Sequence, residues 1–348
     1  MIVKNEINKK QRIEYIDALK GIAIFFVLWG HSLQYLKNGY DFFHNPMFEF
    51  IYSFHMPLFF ILSGFFFRSS QKLNLKEFLL KKSIQLLLPC IVWSVIFILM
   101  WVSINLIKGN SHVYSDLPKR ILSGAWDIWF LRELFISYFI VFVSLKILKK
   151  AWLACILSIL FVLISPYFCE VQRVFLPIFW VGLFLKDNYH IISRFAKHIL
   201  IISGIVFTIC LLFWDGNYTM YVTSFPSIIK IKTLSFDFTY INISIFRLFI
   251  GFCGSIFFFS LFEIVYVDNK LFNWLTKIGA NTLAIYLLQR LILENWANRL
   301  IDFPAMNLWL YNLVITPLVS FLILIVCFIL IKSVQKMKYA EFLLWGKK

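Results

Sequence analysis

The most constraining feature of this 348-residue sequence is a series of apolar segments that recurs along its whole length. Most of them approach the roughly 20 residues that an α-helix needs to cross about 30 Å of hydrocarbon. Ten such segments cover about residues 16–36, 48–67, 84–107, 128–148, 151–166, 173–186, 199–214, 241–267, 278–295 and 311–332. The sequence therefore predicts an all-α, polytopic bundle of about ten transmembrane helices, which forms a single domain over residues 1–348.

The composition agrees with a membrane protein. Only 15% of the residues are charged and 61% are hydrophobic, whereas a soluble globular domain carries roughly 25% charged residues. The formal net charge of +16 is compatible with nucleic-acid binding. However, the basic residues lie in short clusters between apolar runs, a pattern typical of cytoplasmic loops that face anionic lipid. We therefore expect membrane lipid as a partner and no nucleic acid.

The distribution of lysine and arginine predicts the orientation in the membrane. If the N-terminus is inside, the inside segments hold 22 of the 34 basic residues and the outside segments hold nine. Because basic residues concentrate on the cytoplasmic side, this split favours cytoplasmic N- and C-termini and an even number of spans. No cleavable signal peptide is expected, and residues 215–240 are expected to form an extramembrane loop. The predicted location is the cell (inner or cytoplasmic) membrane.

Several common catalytic and metal-binding patterns do not occur in the sequence. The six cysteines lie mostly inside apolar runs without close pairing, so we expect small core residues and neither a disulfide framework nor a metal site. There is no Gly-x-Ser-x-Gly elbow, His-Glu-x-x-His motif or phosphate-binding glycine loop. These absences disfavour serine hydrolases, zinc proteases and ATP-driven pumps.

The first apolar segment carries three ionisable residues, Asp17, Lys20 and His31. Such groups are costly in a membrane, so each is a functional hypothesis. At 100° per residue, Lys20 and His31 differ by only about 20° around a helix and by about 16 Å along it, so all three face one side. The structural alternative for His31 is a buried histidine that bonds a neighbouring carbonyl.

The depth of the polar side chains along the predicted helices favours a shared polar cavity over a histidine that is buried for structural reasons alone. At 1.5 Å per residue, groups in five segments lie roughly 6–11 Å below the outer ends. These groups are His31, His55, Arg132 with Glu133, Arg247, and Gln289 with Arg290. In such a cavity a neutral His31 is able to take a proton from a hydroxyl that attacks a thioester. A carboxylate such as Glu133 is able to orient it.

Motifs in the same segments follow an order that resembles a known family. The first segment has Asp17, Lys20-Gly21 and His31, and the second has the run S-F-H-M-P-L-F-F-I-L-S-G over residues 53–64. Further matches are Lys81-Lys82 before Pro89, W-F-L-R-E-L over 129–134, and I-G-A-N-T-L-A-I-Y-L-L-Q over 278–289. Together they resemble the membrane acyltransferase 3 family, and within it the fucose 4-O-acetylase-like branch.

Two positions depart from the pattern of that family. The family has Arg-Gly where this chain has Lys20-Gly21, which keeps the charge but loses the bidentate fork of arginine. The ninth-segment motif often ends in histidine, whereas this chain has Gln289.

The resemblance implies transfer of an acetyl group from cytoplasmic acetyl-CoA to a hydroxyl of a cell-surface or lipid-linked glycan. The match of His31 to the histidine of the family supports it as the general base, and Glu133 is expected to be the second catalytic residue. Acetyl-CoA is then a donor substrate and not a permanently bound cofactor. The residues expected to bind donor or acceptor are Asp17, Lys20, His55, Lys81, Lys82, Arg132, Arg247, Gln289 and Arg290. The lack of an elbow-type serine favours direct transfer without a covalent acyl-enzyme.

Other functions are compatible with the same features. A polysaccharide export or translocation protein of the same superfamily would also have a polar cavity, and a larger acyl group such as succinyl is compatible with the same chemistry. A purely structural membrane protein would not require ionisable groups in five segments. The acceptor sugar, its modified hydroxyl and the oligomeric state do not follow from the sequence.

Overall fold

The fold is a bundle of helices, seen here in a computed structural model. It describes residues 2–37, 39, 41–109, 112–165, 169–219, 229–230, 235–236, 238–297, 301–303 and 307–347. Apart from one antiparallel pair of two-residue strands, Ile229–Lys230 and Ser235–Phe236, the regular structure of these residues is helical. The predicted all-α class is confirmed for this part of the chain. The expected loop 215–240 falls partly outside it.

The helices are numbered in chain order. They are α1 (Ile2–Tyr35), α2 (Pro46–Phe65), α3 (Arg68–Gln71), α4 (Leu75–Lys82), α5 (Leu88–Ile107), α6 (Val113–Asp127), α7 (Trp129–Ile147), α8 (Ala151–Ile164), α9 (Glu170–Asp187), α10 (Tyr189–Arg194), α11 (Ala196–Leu211), α12 (Ile241–Val265), α13 (Lys270–Gly279), α14 (Thr282–Gln289), α15 (Leu308–Leu310), α16 (Thr316–Gln335) and α17 (Lys338–Trp345). Short 3₁₀ turns cover Phe42–His44 and Gly216–Tyr218, and π-helical segments cover Ser83–Leu87, Arg290–Ala297 and Tyr311–Ile315.

Within the described residues, five helical stretches are long and apolar enough to cross a membrane. They correspond to the first, second, third, eighth and tenth predicted segments. Their bounds are Glu14–Tyr35, Pro46–Phe65, Leu75–Ile107, Ile241–Val265 and Leu308–Gln335. The chain is therefore a multi-pass membrane protein.

The other five predicted segments also form helices, but they depart from a simple span in length, charge or continuity. Helices α8 and α11 have only 14 and 16 residues, while α7 and α9 contain several charged residues. The ninth segment is interrupted, because α13 ends at Gly279 and α14 begins at Thr282. The count of ten spans and the cytoplasmic termini stay predictions.

Two helix pairs approach each other closely at glycines. A Cβ atom on Gly21 of α1 would clash with the backbone of α13, and one on Gly279 of α13 would clash with the backbone of α1. Gly64 and Gly182 make the same reciprocal contact between α2 and α9. Small residues allow such backbone contact between helices in a membrane, where dispersion and shape drive association. These contacts fix the neighbouring residues of α1 and α2 in the centre of the bundle.

Helix α1 holds the central position, since it packs against α2, α12, α13, α14 and α16. Its inner face is lined by residues that are almost completely buried, among them Leu19, Ala23 and Leu28. The buried His31 of α1 therefore lies in the middle of the protein and not in lipid.

Candidate active site

Two cavities lie one beyond the other along α1. The first, called here the histidine cavity, has a volume of about 370 Å³ and contains both His31 and His55 in its wall. The second, called the lysine cavity, has a volume of about 310 Å³ and contains Lys20. Three residues, Val27, Met56 and Tyr286, line both cavities. We call these three residues the septum.

His31 lies in the wall of the histidine cavity with its Nδ1 atom facing two oxygen acceptors. Nδ1 lies 3.0 Å from Gln289 Oε1 and 3.5 Å from Glu294 Oε1. Because a carboxylate stands beside Nδ1, that nitrogen carries the proton of the neutral ring, and Nε2 keeps the lone pair. This is the tautomer that a general base acting through Nε2 requires.

Glu294 is held in place by Arg290. The Arg290 Nε atom donates to both Glu294 oxygens at 3.0 and 2.9 Å, and Nη2 donates to Oε2 at 2.8 Å. Both residues belong to the π-helical segment that follows α14, and π turns often occur at functional sites. The segment begins directly after Gln289, so a single turn of chain supplies both acceptors of His31. The resulting chain of contacts is His31–Glu294–Arg290.

His55 lies in the same cavity but has a different partner. Its Nδ1 lies 2.7 Å from the Ile51 carbonyl oxygen, one turn earlier in α2, so Nδ1–H donates to the backbone. Its ring meets the ring of Tyr52 edge-on, with 4.7 Å between the centroids. The sequence left open that His31 is a buried histidine bonded to a neighbouring carbonyl. In the structure it is His55 that has this environment.

Arg247 reaches the histidine cavity from α12. Its Nε donates to the Tyr218 carbonyl oxygen at 2.6 Å, which ties α12 to the turn Gly216–Tyr218. Arg247, His31, His55 and Arg290 are four of the predicted residues that the structure brings to one cavity. Gln289 lies behind His31 and bonds its ring.

Arg132 and Glu133 lie in α7, where hydrogen bonds connect this helix to α9. The Glu133 carboxylate accepts hydrogen bonds from Arg132 and from Gln172 Nε2, the latter at 2.8 Å. Gln172 in turn accepts a hydrogen bond from Ser137. Neither Arg132 nor Glu133 is among the residues that line the two cavities. The carboxylate beside His31 is therefore Glu294, and not Glu133 as the sequence suggested.

The lysine cavity is mostly apolar, with Lys20 as its basic lining residue among the described side chains. The Lys20 ammonium donates to Asp17 at 2.9 Å and lies 4.4 Å from the centre of the Phe66 ring. Asp17 and Lys20 thus form an ion pair one turn apart on α1. Each side chain keeps about a quarter of its surface exposed.

The neighbouring lysines differ from each other in environment. Lys81 is exposed, whereas Lys82 is buried with its ammonium 3.6 Å from the centre of the Tyr138 ring. Tyr138 itself lines the lysine cavity and donates a hydrogen bond to the Ser63 carbonyl. Lys82 therefore lies one side chain away from the cavity.

A titratable pair lies outside the spans, near the turn that contacts Arg247. His44 and Asp41 approach to 2.6 Å on the exposed loop between α1 and α2. The hydrogen bond that His44 Nδ1–H donates to the Asp41 carboxylate raises the pKa of His44 above 6.5 and lowers the pKa of Asp41. The His44 Nε2 atom lies 3.3 Å from Asn217 Nδ2, so this pair contacts the turn Gly216–Tyr218.

Glu294 was missed in the sequence, although a signal for it was present. Arg290 and Glu294 are four residues apart in the ninth segment, which is the spacing of an ion pair on one helix face. Trp214 and Thr219, which also line the histidine cavity, carried no comparable signal, because they flank a short loop turn.

Similarity to known proteins covers most of the chain. An acyltransferase domain of the Acyl_transf_3 type matches residues 13–332. The nodulation protein NolL of Mesorhizobium japonicum is 29% identical over 222 residues, which cover 59% of this chain and 57% of that protein. NolL of Sinorhizobium fredii is 25% identical over 215 residues, with coverage of 59% and 58%. The chain thus matches less than two thirds of the length of these relatives. No solved structure matches it.

Proposed function

This chain belongs to the acyltransferase 3 family, and we propose that it is a membrane-bound O-acetyltransferase. It moves an acetyl group from cytoplasmic acetyl-CoA to a hydroxyl of a cell-surface or lipid-linked glycan. The observation that carries this proposal is the position of His31, whose Nδ1 faces Gln289 and Glu294 in a cavity that adjoins a second one. Transport alone has no need of a histidine backed by an amide and a carboxylate.

The chemistry follows from the tautomer of His31. Its Nε2 removes the proton from the acceptor hydroxyl as the hydroxyl oxygen attacks the thioester carbonyl carbon. The imidazolium that forms is stabilised by the Glu294 carboxylate. The carbon–sulfur bond then breaks, and the thiolate leaves with the proton that His31 carried, giving an oxygen ester and free CoA. No acyl-enzyme is required.

The lysine cavity suits the acyl arm of the donor. Most of its lining is apolar, including Leu62, Leu131 and Leu134, and Lys20 supplies a positive charge. Lys82 contacts Tyr138 in the wall of the same cavity. Lys82 and the adjacent, exposed Lys81 are proposed, with Lys20, to attract the phosphates of CoA. The septum, Val27, Met56 and Tyr286, marks the point where the thioester of an arm in the lysine cavity meets an acceptor in the histidine cavity.

This assignment fits the orientation predicted from the basic residues. The lysine cavity faces the cytoplasm if the termini are cytoplasmic, and the histidine cavity faces the outside of the cell membrane. About ten spans and a single domain are part of the same proposal. Labelling of cysteines introduced at Lys4 and Lys347 tests the orientation, and external labelling of either would contradict it.

Purified protein in nanodiscs tests the activity. Acetyl-CoA and a panel of glycan acceptors are supplied, and thiol release is measured together with the mass of the glycan. Thiol release matched by an acetyl-sized mass increase is the expected result. Absence of both with every acceptor, while the protein binds or moves glycan, would favour export instead.

A further inference from the structure

Two hydrogen-bond donors in the wall of the histidine cavity have no partner in the described part of the chain. They are Trp214 Nε1 and Thr219 Oγ1, and both atoms are buried. The exposed fractions of the two residues are only 6% and 4%. Buried donors are nearly always paired, because an unpaired one has lost water without gaining a replacement. A ligand oxygen in the cavity would supply the missing partner.

The loop that carries these donors is fixed in position. The Gly216 N–H donates to the Glu49 carboxylate of α2 at 3.2 Å. A Cβ atom at residue 216 would clash with the Phe43 carbonyl, so only glycine allows this close approach. Arg247 bonds the Tyr218 carbonyl from the other side. Trp214 and Thr219 therefore flank an anchored turn in the wall of the cavity.

The charge of the cavity wall points to a neutral ligand. The wall contains two arginines, Arg247 and Arg290, and two carboxylates, Glu170 and Glu294. Arg290 is bonded to Glu294. With neutral histidines the formal charges of these residues cancel. A carboxylate or phosphate would then find no net positive charge, whereas the hydroxyls of a neutral sugar need none.

The wall is also rich in aromatic side chains. Tyr35, Tyr52, Trp129 and Trp214 line it, and their amphipathic rings offer both a flat apolar face and a polar edge. A pyranose ring matches such a wall, since it has apolar C–H faces and a rim of hydroxyls.

We infer that Trp214 and Thr219 form a recognition subsite for the acceptor, donating hydrogen bonds to the oxygens of a neutral pyranose ring. The inference rests on the proposed function and names the class of its acceptor. The subsite holds the ring, while His31 takes the proton from one of its hydroxyls.

The test measures acceptor KM, donor KM and kcat for Trp214→Phe and Thr219→Val in nanodiscs. Phe keeps the aromatic ring and removes Nε1–H, and Val keeps the shape of Thr and removes the hydroxyl. Each change is expected to raise acceptor KM about tenfold, since one hydrogen bond is lost, while donor KM is unchanged. The acceptor probes are neutral methyl hexopyranosides and the corresponding uronates, and the neutral series is expected to be preferred.

Matched controls come from the same chain. Trp345 Nε1 and Ser260 Oγ are also buried without a partner in the described part of the chain, but neither residue lines the histidine cavity or the lysine cavity. Trp345→Phe and Ser260→Ala are therefore expected to leave acceptor KM unchanged. The melting temperature of all four variants is expected to stay the same or rise, because each loses an unpaired buried polar atom.

The possible outcomes separate this inference from the proposed function. Unchanged acceptor KM in both cavity variants of an active enzyme would overturn the subsite and leave the proposed function intact. Preference for the uronates would overturn the neutral class. If the unmodified protein releases no thiol with any acceptor, the proposed function itself fails. An equal rise of acceptor KM in the control variants would show that the effect comes from a general loss of packing in the protein, and it would overturn the subsite.

Discussion

The histidine cavity and the lysine cavity have similar volumes but opposite chemical character. The histidine cavity has two imidazoles, two arginines, two carboxylates and several aromatic rings in its wall. The lysine cavity has one lysine in an otherwise largely apolar lining. Proton transfer needs the first kind of environment, and an acyl arm is held by the second. This difference supports the proposal that the histidine cavity activates the acceptor and the lysine cavity binds the donor.

The largest expected effect comes from removing the base in the histidine cavity. His31→Ala is expected to lower kcat by about 10²–10⁴, which is the usual contribution of a general base. Donor KM is expected to change little, because His31 lies beyond the septum from the lysine cavity. Steady-state rates of thiol release measure both quantities.

His55→Ala is the comparison for that variant. Within the described residues, His55 bonds a backbone carbonyl and no carboxylate, so its loss is expected to lower kcat by about tenfold or less. If His55→Ala is the more damaging change, the roles assigned to the two histidines are wrong.

The next largest effect concerns the donor side. Lys20→Ala is expected to raise the KM for acetyl-CoA about fivefold to tenfold and to leave kcat nearly unchanged, since a charged hydrogen bond is lost in binding only. Lys20→Arg keeps the charge and is expected to be tolerated. Lys108→Ala, an exposed change at the end of α5, is the control for net charge. An unchanged donor KM in Lys20→Ala would contradict the donor role.

The septum is expected to control the size of the acyl group. Met56→Ala enlarges the passage between the cavities, so the ratio of kcat/KM for butyryl-CoA to that for acetyl-CoA is expected to rise about tenfold. Met100→Ala removes a similar side chain outside both cavities and serves as the control. An unchanged ratio in Met56→Ala would show that acyl length is set elsewhere.

The smallest effect is a pH dependence confined to the acceptor side. The raised pKa of His44 means that the ion pair with Asp41 is complete below pH 6.5 and is lost as the pH rises through the raised value, although the neutral ring still donates Nδ1–H. The lowered pKa of Asp41 means that the ion pair is also lost in acid, as the carboxylate is protonated. Between these limits the charged pair lies beside the turn Gly216–Tyr218.

Asp41→Asn is therefore expected to raise acceptor KM about twofold near pH 6 and to have little effect near pH 9, since exposed pairs contribute little. Donor KM is expected to be unaffected at either pH. A change of equal size at both pH values would exclude the titration of this pair as the cause.

Much of the bundle could be predicted from the sequence, since long apolar runs can satisfy their backbone groups in a membrane only as helices. The relation of Lys20 to His31 was also predictable, because both lie on one helix. The partner of His31 was not predictable from depth alone: Gln289 is 258 positions away in the chain, and Glu294 reaches the ring through a π turn. Arg132 and Glu133 lie at the right predicted depth but bond to each other and to Gln172.

On the proposed function, acceptor and donor reach the reaction from opposite sides of the septum. Proteoliposomes of one known orientation test it most directly, with acetyl-CoA sealed inside or added outside and a membrane-impermeant glycoside placed on either side. Acetylated glycoside is expected only when acetyl-CoA is on the side of the lysine cavity and the glycoside is on the side of the histidine cavity. Equally fast transfer with both substrates on one side, and none across the membrane, would contradict it.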